Sequence, residues 1–492
     1  MKKMNLLAMS LVSAAALSFS SCSSNDDLTS GGTQSQADGV YMTLKISGTT
    51  SHGTRTGVAT PNTTENGTPD ESTITQGMLY IYDGQTCVFR KVITSEMFET
   101  KPSQTVAGKT KPIKVAVTGA IKTNKDYYVY FLANNTTVTD PLAATSTFTS
   151  TTGGTDLATA QNFVMFNQND VKNAAAHSTV KFTDDNKSSD NPAPAGEIKL
   201  DRVVARIDNP LFAETAKTVD NAAAGTTKNV ASVVASFTYE GYAASNLNNN
   251  SYVMQNWDNK FETLNVKWVE GANKYFQPKE SFGTLYNGAN LDKFVTSNTY
   301  AFENTTNDVN EATAVYFKVK ANLTAAEKAT ADFEDGTFYR YDGRLYTSIK
   351  AIFDDAATGA ISNPFTETGG ITPEQVVAKI TKDGKLTTDE TVLAKFREDY
   401  KIEVYCGGIM YYRWAISDMA YKPFVESETT HTYSVLRNSI YRLNVTKINE
   451  IGKDVPNGPE PDDPIKNPNF YMNVTVSINP WVLNEIKNIE LK

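Results

Sequence analysis

Few residues in this chain stand where side-chain chemistry would need them. The three histidines, His52, His177 and His431, are scattered through separate polar stretches, which gives neither a zinc site nor a histidine-based triad any support. Gly108-Lys109-Thr110 hints at a phosphate loop, but the upstream glycine such a loop requires falls on Ser103. Asp354 and Asp355 could pair as the two carboxyl groups of a glycosidase; a solvated loop accounts for them better. Tyr412 and Trp414 could stack on sugar rings, yet their period of two in an apolar stretch fits a strand in a core. No nucleophile elbow and no calcium loop occurs. The expectation is therefore no enzyme, no cofactor and no metal.

Two positions remain at which chemistry would be done to the chain. The opening "MKKMNLLAMSLVSAAALSFSSC" has Lys2 and Lys3, an apolar run from Leu6 to Phe19, and small residues before Cys22. That is a secretory signal, too short for a membrane span. Its end resembles a bacterial lipoprotein signal, which implies lipidation of Cys22 and removal of residues 1–21. Phe19 replaces the leucine more usual there. The "SSNDD" that follows resembles the acidic tag of surface-exposed lipoproteins. Further on, Arg55 lies in a run of Gly, Thr, Ser, Asn and Pro from Gly48 to Gly77 that offers almost nothing apolar to a core. Such a run should be exposed and open to proteases. The next arginine, Arg90, sits in apolar "TCVFRKV".

With 492 residues there is room for two or three domains. The net charge of −9 gives no basic footprint, so nucleic acid is not an expected partner. Besides Cys22 only Cys87 and Cys406 occur, which excludes a disulfide framework and suggests two isolated, mostly buried thiols. No stretch beyond the signal approaches the length of a membrane-spanning helix.

The elements that fill the chain are mostly strands. "VYMTLKIS" (Val40–Ser47), "MLYIYDG", "CVFRKVI", "IKVAV" and "DYYVYFLAN" alternate or carry β-branched and aromatic residues between turn signals. "EIKLDRVVARIDNP" closes this first block, its alternation broken once near Asp201-Arg202, and a boundary is expected near residue 210. The second block repeats the pattern through "VASVVASFTYEGY", "TAVYFKVKANL", "TFYRYDGRLYTSI", "KIEVYCGGIMYYRWAI" and "NSIYRLNVTKI". One helical passage interrupts it. Thr372 is an N-cap, Pro373 takes the first helical position, Gln375 completes a capping box and Gly384 is the expected stop. "DETVLAKFREDY" predicts a second helix with Val392, Phe396 and Tyr400 on its apolar face. The fold class expected is mainly β: two β-sandwiches with a small helical insert in the second.

The chain then runs through a Pro- and Asp-rich linker into "NFYMNVTVSINPW". Phe470, Met472, Val474, Val476 and Ile478 alternate there as Val40, Met42, Leu44 and Ile46 do near the start, and both segments contain a Tyr-Met pair. One chain thus carries two versions of one strand. Pro480, with no N–H to donate, is expected to end the ladder.

"IMYYRWAI", "VLRNSIYRLNVTKINEIG", the linker and "FYMNVTVSINPWVLNEIKNIELK", with the lipobox and "DRVVARI", together resemble the Mfa-type major fimbrial subunits of Bacteroidota, in the fimbrillin superfamily of type V pili. The resemblance implies two transthyretin-like β-sandwich domains. It also implies a strand-exchange fibre. The leading strand (Val40, Met42, Leu44, Ile46) plugs its own first domain. An Arg-specific protease cuts between Arg55 and Thr56, and the plug leaves with the lipid anchor. The trailing strand (Phe470, Met472, Val474, Val476, Ile478) of a neighbouring copy then fills the groove. The implied division is 1–21 signal, 22–55 propeptide with plug, 56–209 and 210–451 sandwich domains, and 452–492 linker and donor strand. Expected partners are further copies of the chain, accessory tip or anchor subunits, the protease, and the outer membrane before processing. Five inward apolar side chains, at roughly 1.5–3 kcal/mol each, would contribute on the order of 10 kcal/mol to the exchange. Rival readings are a monomeric glycan-binding lipoprotein, a tip or accessory subunit, and a tail that folds back as an ordinary strand of its own second domain.

Overall fold

The computed structural model describes residues 39–48, 65–102, 107–116, 120–143, 145–169, 178–219, 228–256, 294–306, 309, 311–416, 433–455 and 472–482. Cys22, Arg55, Thr56, Phe470 and the three histidines lie outside them. The architecture is mainly β, with 43% strand and 17% helix, as the alternating patterns predict.

The first block forms a ten-stranded sheet around one apolar core. Its leading strand is β1 (Gly39–Gly48). A two-residue strand β2 (Glu65–Asn66) and the short helix α1 (Pro69–Ser72) follow. Then come β3 (Gln76–Asp83), β4 (Thr86–Thr94), β5 (Gly108–Thr110), β6 (Ile113–Ala116), β7 (Asp126–Ala133), β8 (Met165–Asn167) and β9 (Ala193–Arg202). The strand order is β4-β3-β7-β8-β9-β1-β5, ending on residues 98–100, with β6 also paired to β1. β3 is buried on both faces from Gly77 to Tyr82. Its two tyrosines keep their hydroxyls satisfied at the rim, Tyr80 donating to the Val138 carbonyl and Tyr82 to the Asp140 carboxylate.

The "DRVVARI" stretch is two strands. β9 ends at Arg202, Val203 and Val204 form a bend, and β10 (Ala205–Ile207) begins a different sheet. Val203 and Val204 pack into the first core and Ala205 and Ile207 into the second. The second core lies between two sheets. One is β11 (Val234–Ser245), β13 (Ala314–Leu323) and β14 (Ile409–Ala415), in the order β11-β13-β14. The other is β12 (Thr299–Ala301), β10, β15 (Ser439–Ile448), β16 (Met472–Val482) and β2, in that order.

The helical insert has three helices over a core of its own: α2 (Ile349–Ala357), α3 (Pro373–Ala378) and α4 (Glu390–Tyr400). The Thr372 capping box forms as expected. Three expectations change here. Gly384 does not stop α3, which ends at Ala378; with φ of 74°, beside Asp383 at 52°, it makes the two-residue turn of a hairpin between 381–382 and 385–386. The apolar face of α4 is Leu393, Phe396 and Tyr400, whereas Val392 is 37% exposed. Asp354 and Asp355 sit on α2 rather than in a loop. Lys350 pairs with Asp354 one turn away, and Arg344 and Tyr346 hold Asp355, so both carboxylates are occupied as structural partners.

Tyr412 is buried, its hydroxyl donating to the Glu450 carbonyl, and Trp414 packs half-buried against the second core, as the period of two predicts. Cys87 and Cys406 carry no disulfide and are half-buried rather than buried, at the margins of the first and third cores. Among the described residues no group of three or more His, Cys, Asp or Glu gathers at metal-binding distance.

Candidate functional site

β1 is a strand inserted between others rather than an edge. Along one side it runs parallel to β9, from Met42 opposite Ala193 to Gly48 opposite Leu200, with a bulge between Thr43 and Lys45. The other side is shared by two antiparallel strands. β6 covers Gly39 to Met42, and β5 covers Lys45 and Ile46. The gap between them falls at Leu44, whose N–H donates to Thr110 Oγ1 at 2.9 Å, so the change of partner leaves that donor satisfied. Residue 108 of β5 is glycine where Pro102 packs against it; a Cβ there would lie 2.2 Å from Pro102 Cγ. Val40, Met42, Leu44 and Ile46 are all at most 1% exposed. On the opposite face Lys45 pairs with Glu197 at 2.9 Å. The alternation read from sequence is therefore the in/out pattern of a strand whose inner face is part of the first core.

The trailing strand lies in the same chain. β16 runs antiparallel to β15, from Met472 opposite Ile448 to Pro480 opposite Ser439, and Met472 is 1% exposed in the second core. Pro480 closes the ladder with β15 as expected, although the strand runs on to Val482. It stands where β15 itself begins, and pairing continues on the other edge, parallel to β2, through Glu65–Trp481 and Asn66–Val482.

A buried polar cluster joins these two regions, and sequence reading missed it. Arg202, 1% exposed at the end of β9, donates from Nε to the Glu71 carbonyl, from Nη2 to Ser72 Oγ and from Nη1 to Asn438 Oδ1, at 2.9 to 3.2 Å. Asn438 immediately precedes β15 and donates to Asp201. Arg206 on β10 grips both Glu71 oxygens at 2.9 and 3.0 Å and also Asp208 at 2.6 Å. Tyr300 donates to the same Glu71 carboxylate. Burial pushes the Glu71 carboxyl up, but Arg206 and the Thr68 backbone N–H outweigh it and hold it below the usual carboxylate range. Burial lowers the Arg202 guanidinium to about 9 against the pull of Glu71. Charges this far from water persist only when paired and hydrogen-bonded, and no buried side-chain nitrogen or oxygen of this cluster is without a partner. The sequence did carry a signal: the charged pair Asp201-Arg202, at the point where the alternation breaks.

Residues 403–487, which include β14, β15 and β16, match the family model described as major fimbrial subunit protein type IV, fimbrillin, C-terminal. The likeness is to fimbrillins. The fimbrillin match thus spans the strand that carries the tail, the linker, and the tail strand itself. Among solved structures, a fimbrilin of Porphyromonas gingivalis is 13% identical, with 92% of this chain and 99% of that one covered and a TM-score of 0.39. A protein assigned to cell adhesion from Bacteroides eggerthii is 14% identical over 92% and 98% of the two chains, at 0.40. The C-terminally truncated tip fimbrial protein of P. gingivalis is 11% identical over 90% and 100%, at 0.31. No curated protein matches the chain.

Proposed function

We propose that this fimbrillin-like chain is a shaft subunit of a cell-surface fimbria, serving adhesion or biofilm growth. In this reading it is exported as a lipoprotein on Cys22 and cut between Arg55 and Thr56. It then polymerises when the groove left by β1 receives the trailing strand, Phe470 to Ile478, of another copy. The division 1–21, 22–55, 56–209, 210–451 and 452–492 assigns signal, propeptide, two domains and donor arm. Other copies, accessory tip or anchor subunits, an Arg-specific protease and, before processing, the outer membrane are its partners.

The observation that carries this reading is the state of β1. A strand upstream of a polar, arginine-containing run is seated between β9 and β5/β6 with four side chains in the core. Burial of those four contributes about 8 kcal/mol, so removing the strand opens an apolar groove that needs an occupant. Uncut, β1 competes for its own groove at a high local concentration, so assembly waits for proteolysis.

Limited trypsin digestion should give a core starting at Thr56 that forms ladders on unheated gels. Deleting Asn469–Lys492 should abolish the ladders and leave a folded monomer. Ladders that survive the deletion, or a plug-free core that stays monomeric, overturn the reading. One observation favours an alternative in which the tail is an ordinary strand of its own second domain: it pairs along β15 in the same chain. On that alternative the deletion unfolds the second domain.

A further inference from the structure

The chain is not released at the end of β15. Past Ile448, residues 449–455 are held by groups from β14 and from the helical insert. Tyr412 donates its hydroxyl to the Glu450 carbonyl, and Tyr405, on the insert strand Glu403–Tyr405, donates to the Gly452 carbonyl, both at 2.8 Å. Lys453 and Tyr411 exchange backbone hydrogen bonds at 2.8 and 2.9 Å. The Asp454 carboxylate accepts from the Val404 N–H at 2.9 Å and from Arg397 Nε. Arg397 lies on α4, and its Nη1 donates at 2.7 Å to Glu390 in the first turn of the same helix. Both members of the pair are withdrawn from water, Asp454 with 6% of its side chain exposed and Arg397 with 14%. Ile451 and Val455 are buried beside them. Gly452 lets the backbones meet, since a Cβ there would lie 2.5 Å from the Tyr411 carbonyl oxygen. Each of these partners lies outside the tail strand, whose pairing along β15 stops at Ile448.

We propose that the helical insert is the anchorage of the tail: Arg397, through Asp454, fixes the point at which the chain leaves the second domain, so the tail can depart without drawing β15 after it. The chain is continuous, so a pull on a tail strand lodged in another copy enters this subunit at Val455, whatever path residues 456–471 take. There it meets a buried ion pair and a backbone pair. Without that hold the load would fall on Ile448, the end of a strand that becomes a sheet edge once β16 has gone. Arg397 is thus a positioning residue, acting on the tail through Asp454. This inference rests on the strand-exchange reading, to which it adds the place where tension enters the subunit.

Hydrogen exchange with mass spectrometry tests it on the full chain and on the chain lacking Asn469–Lys492, following residues 449–455. In the parent, deleting the tail should quicken exchange in β15 but leave 449–455 within about threefold of the full-length rate. Asp454→Asn and Arg397→Gln should each quicken 449–455 about tenfold, because a hydrogen bond between charged groups is lost. The double variant should exchange no faster than either single one, because both substitutions remove one shared interaction. Protection at 315–319 should persist throughout, which separates local release from loss of the second core. Exchange at 449–455 that quickens about tenfold on tail deletion alone, with 315–319 still protected, overturns the anchorage, since the tail itself would then be holding the segment. Both single variants within about threefold of the parent, or effects that add in the double variant, overturn it as well. If the variants lose protection at 315–319, the parent with and without its tail decides alone. Loss of 315–319 on tail deletion sinks the strand-exchange reading instead, and the full-length variants then decide whether Arg397 holds the segment.

Discussion

Leu44→Ala is the sharpest probe of the groove. Leu44 is 1% exposed, its backbone N–H is satisfied by Thr110 Oγ1, and it sits where β1 passes from the cover of β6 to that of β5. Truncation leaves the backbone contacts in place and removes only side-chain burial, with a cavity lined by fixed strands. Buried leucine truncations cost about 2–5 kcal/mol, and a middle value near 3 kcal/mol corresponds to about 150-fold in a binding equilibrium. After cleavage at Arg55 the fragment bearing residues 39–48 is held only non-covalently. Its dissociation constant can be measured by diluting the nicked, tail-deleted chain and quantifying retained fragment by size exclusion and mass spectrometry. The tail deletion keeps a competing strand out of the groove. The expected result is a constant about 150-fold weaker for Leu44→Ala than for the parent. A value within about threefold of the parent would mean that core burial does not hold this strand, and would refute the groove argument.

Arg202→Met should lower stability by about 3–5 kcal/mol, roughly 10 °C in a thermal melt, because Glu71, Ser72 and Asn438 lose a shared donor. A melt shifted by less than about 2 °C would contradict the clamp. Burial pushes the Glu390 carboxyl up to about 7, outweighing the Arg397 guanidinium beside it. Its folded pKa is therefore above the unfolded value near 4.3, so its stabilising contribution is complete below that value and lost as the pH rises through about 7. Urea midpoints at pH 5 and pH 8 should differ less in Glu390→Gln than in the parent; an unchanged difference counts against it. Gly384→Ala should cost about 1 kcal/mol by strain alone, since nothing lies within 4 Å of the added methyl, and a neutral result in urea unfolding would remove the turn argument.

Much of the fold was legible because strands with one buried face advertise it. Val40, Met42, Leu44 and Ile46 alternate in sequence and are buried in space for the same reason. The Thr372 cap was legible because capping is decided within four residues. What escaped depends on the partner. Helical spacings of three or four before Phe396 admit either Val392 or Leu393, and only packing in the third core selects Leu393. Gly384 carries the same signal as a helix stop and as a hairpin turn. The continuation of the strand past Pro480 depends on β2, a partner taken up on its other edge. The Arg202–Glu71–Asn438 cluster joins residues far apart in the chain, and no local pattern announces such a meeting.

The strands that flank β1 impose a direction. β9 travels alongside it while β5 and β6 travel against it, so a replacement seated with the same hydrogen bonds has only one orientation available. Subunits joined through that slot would all point the same way. The resulting thread would have unlike ends, one presenting an empty slot and the other an unspent arm, and each end would call for its own kind of terminating protein.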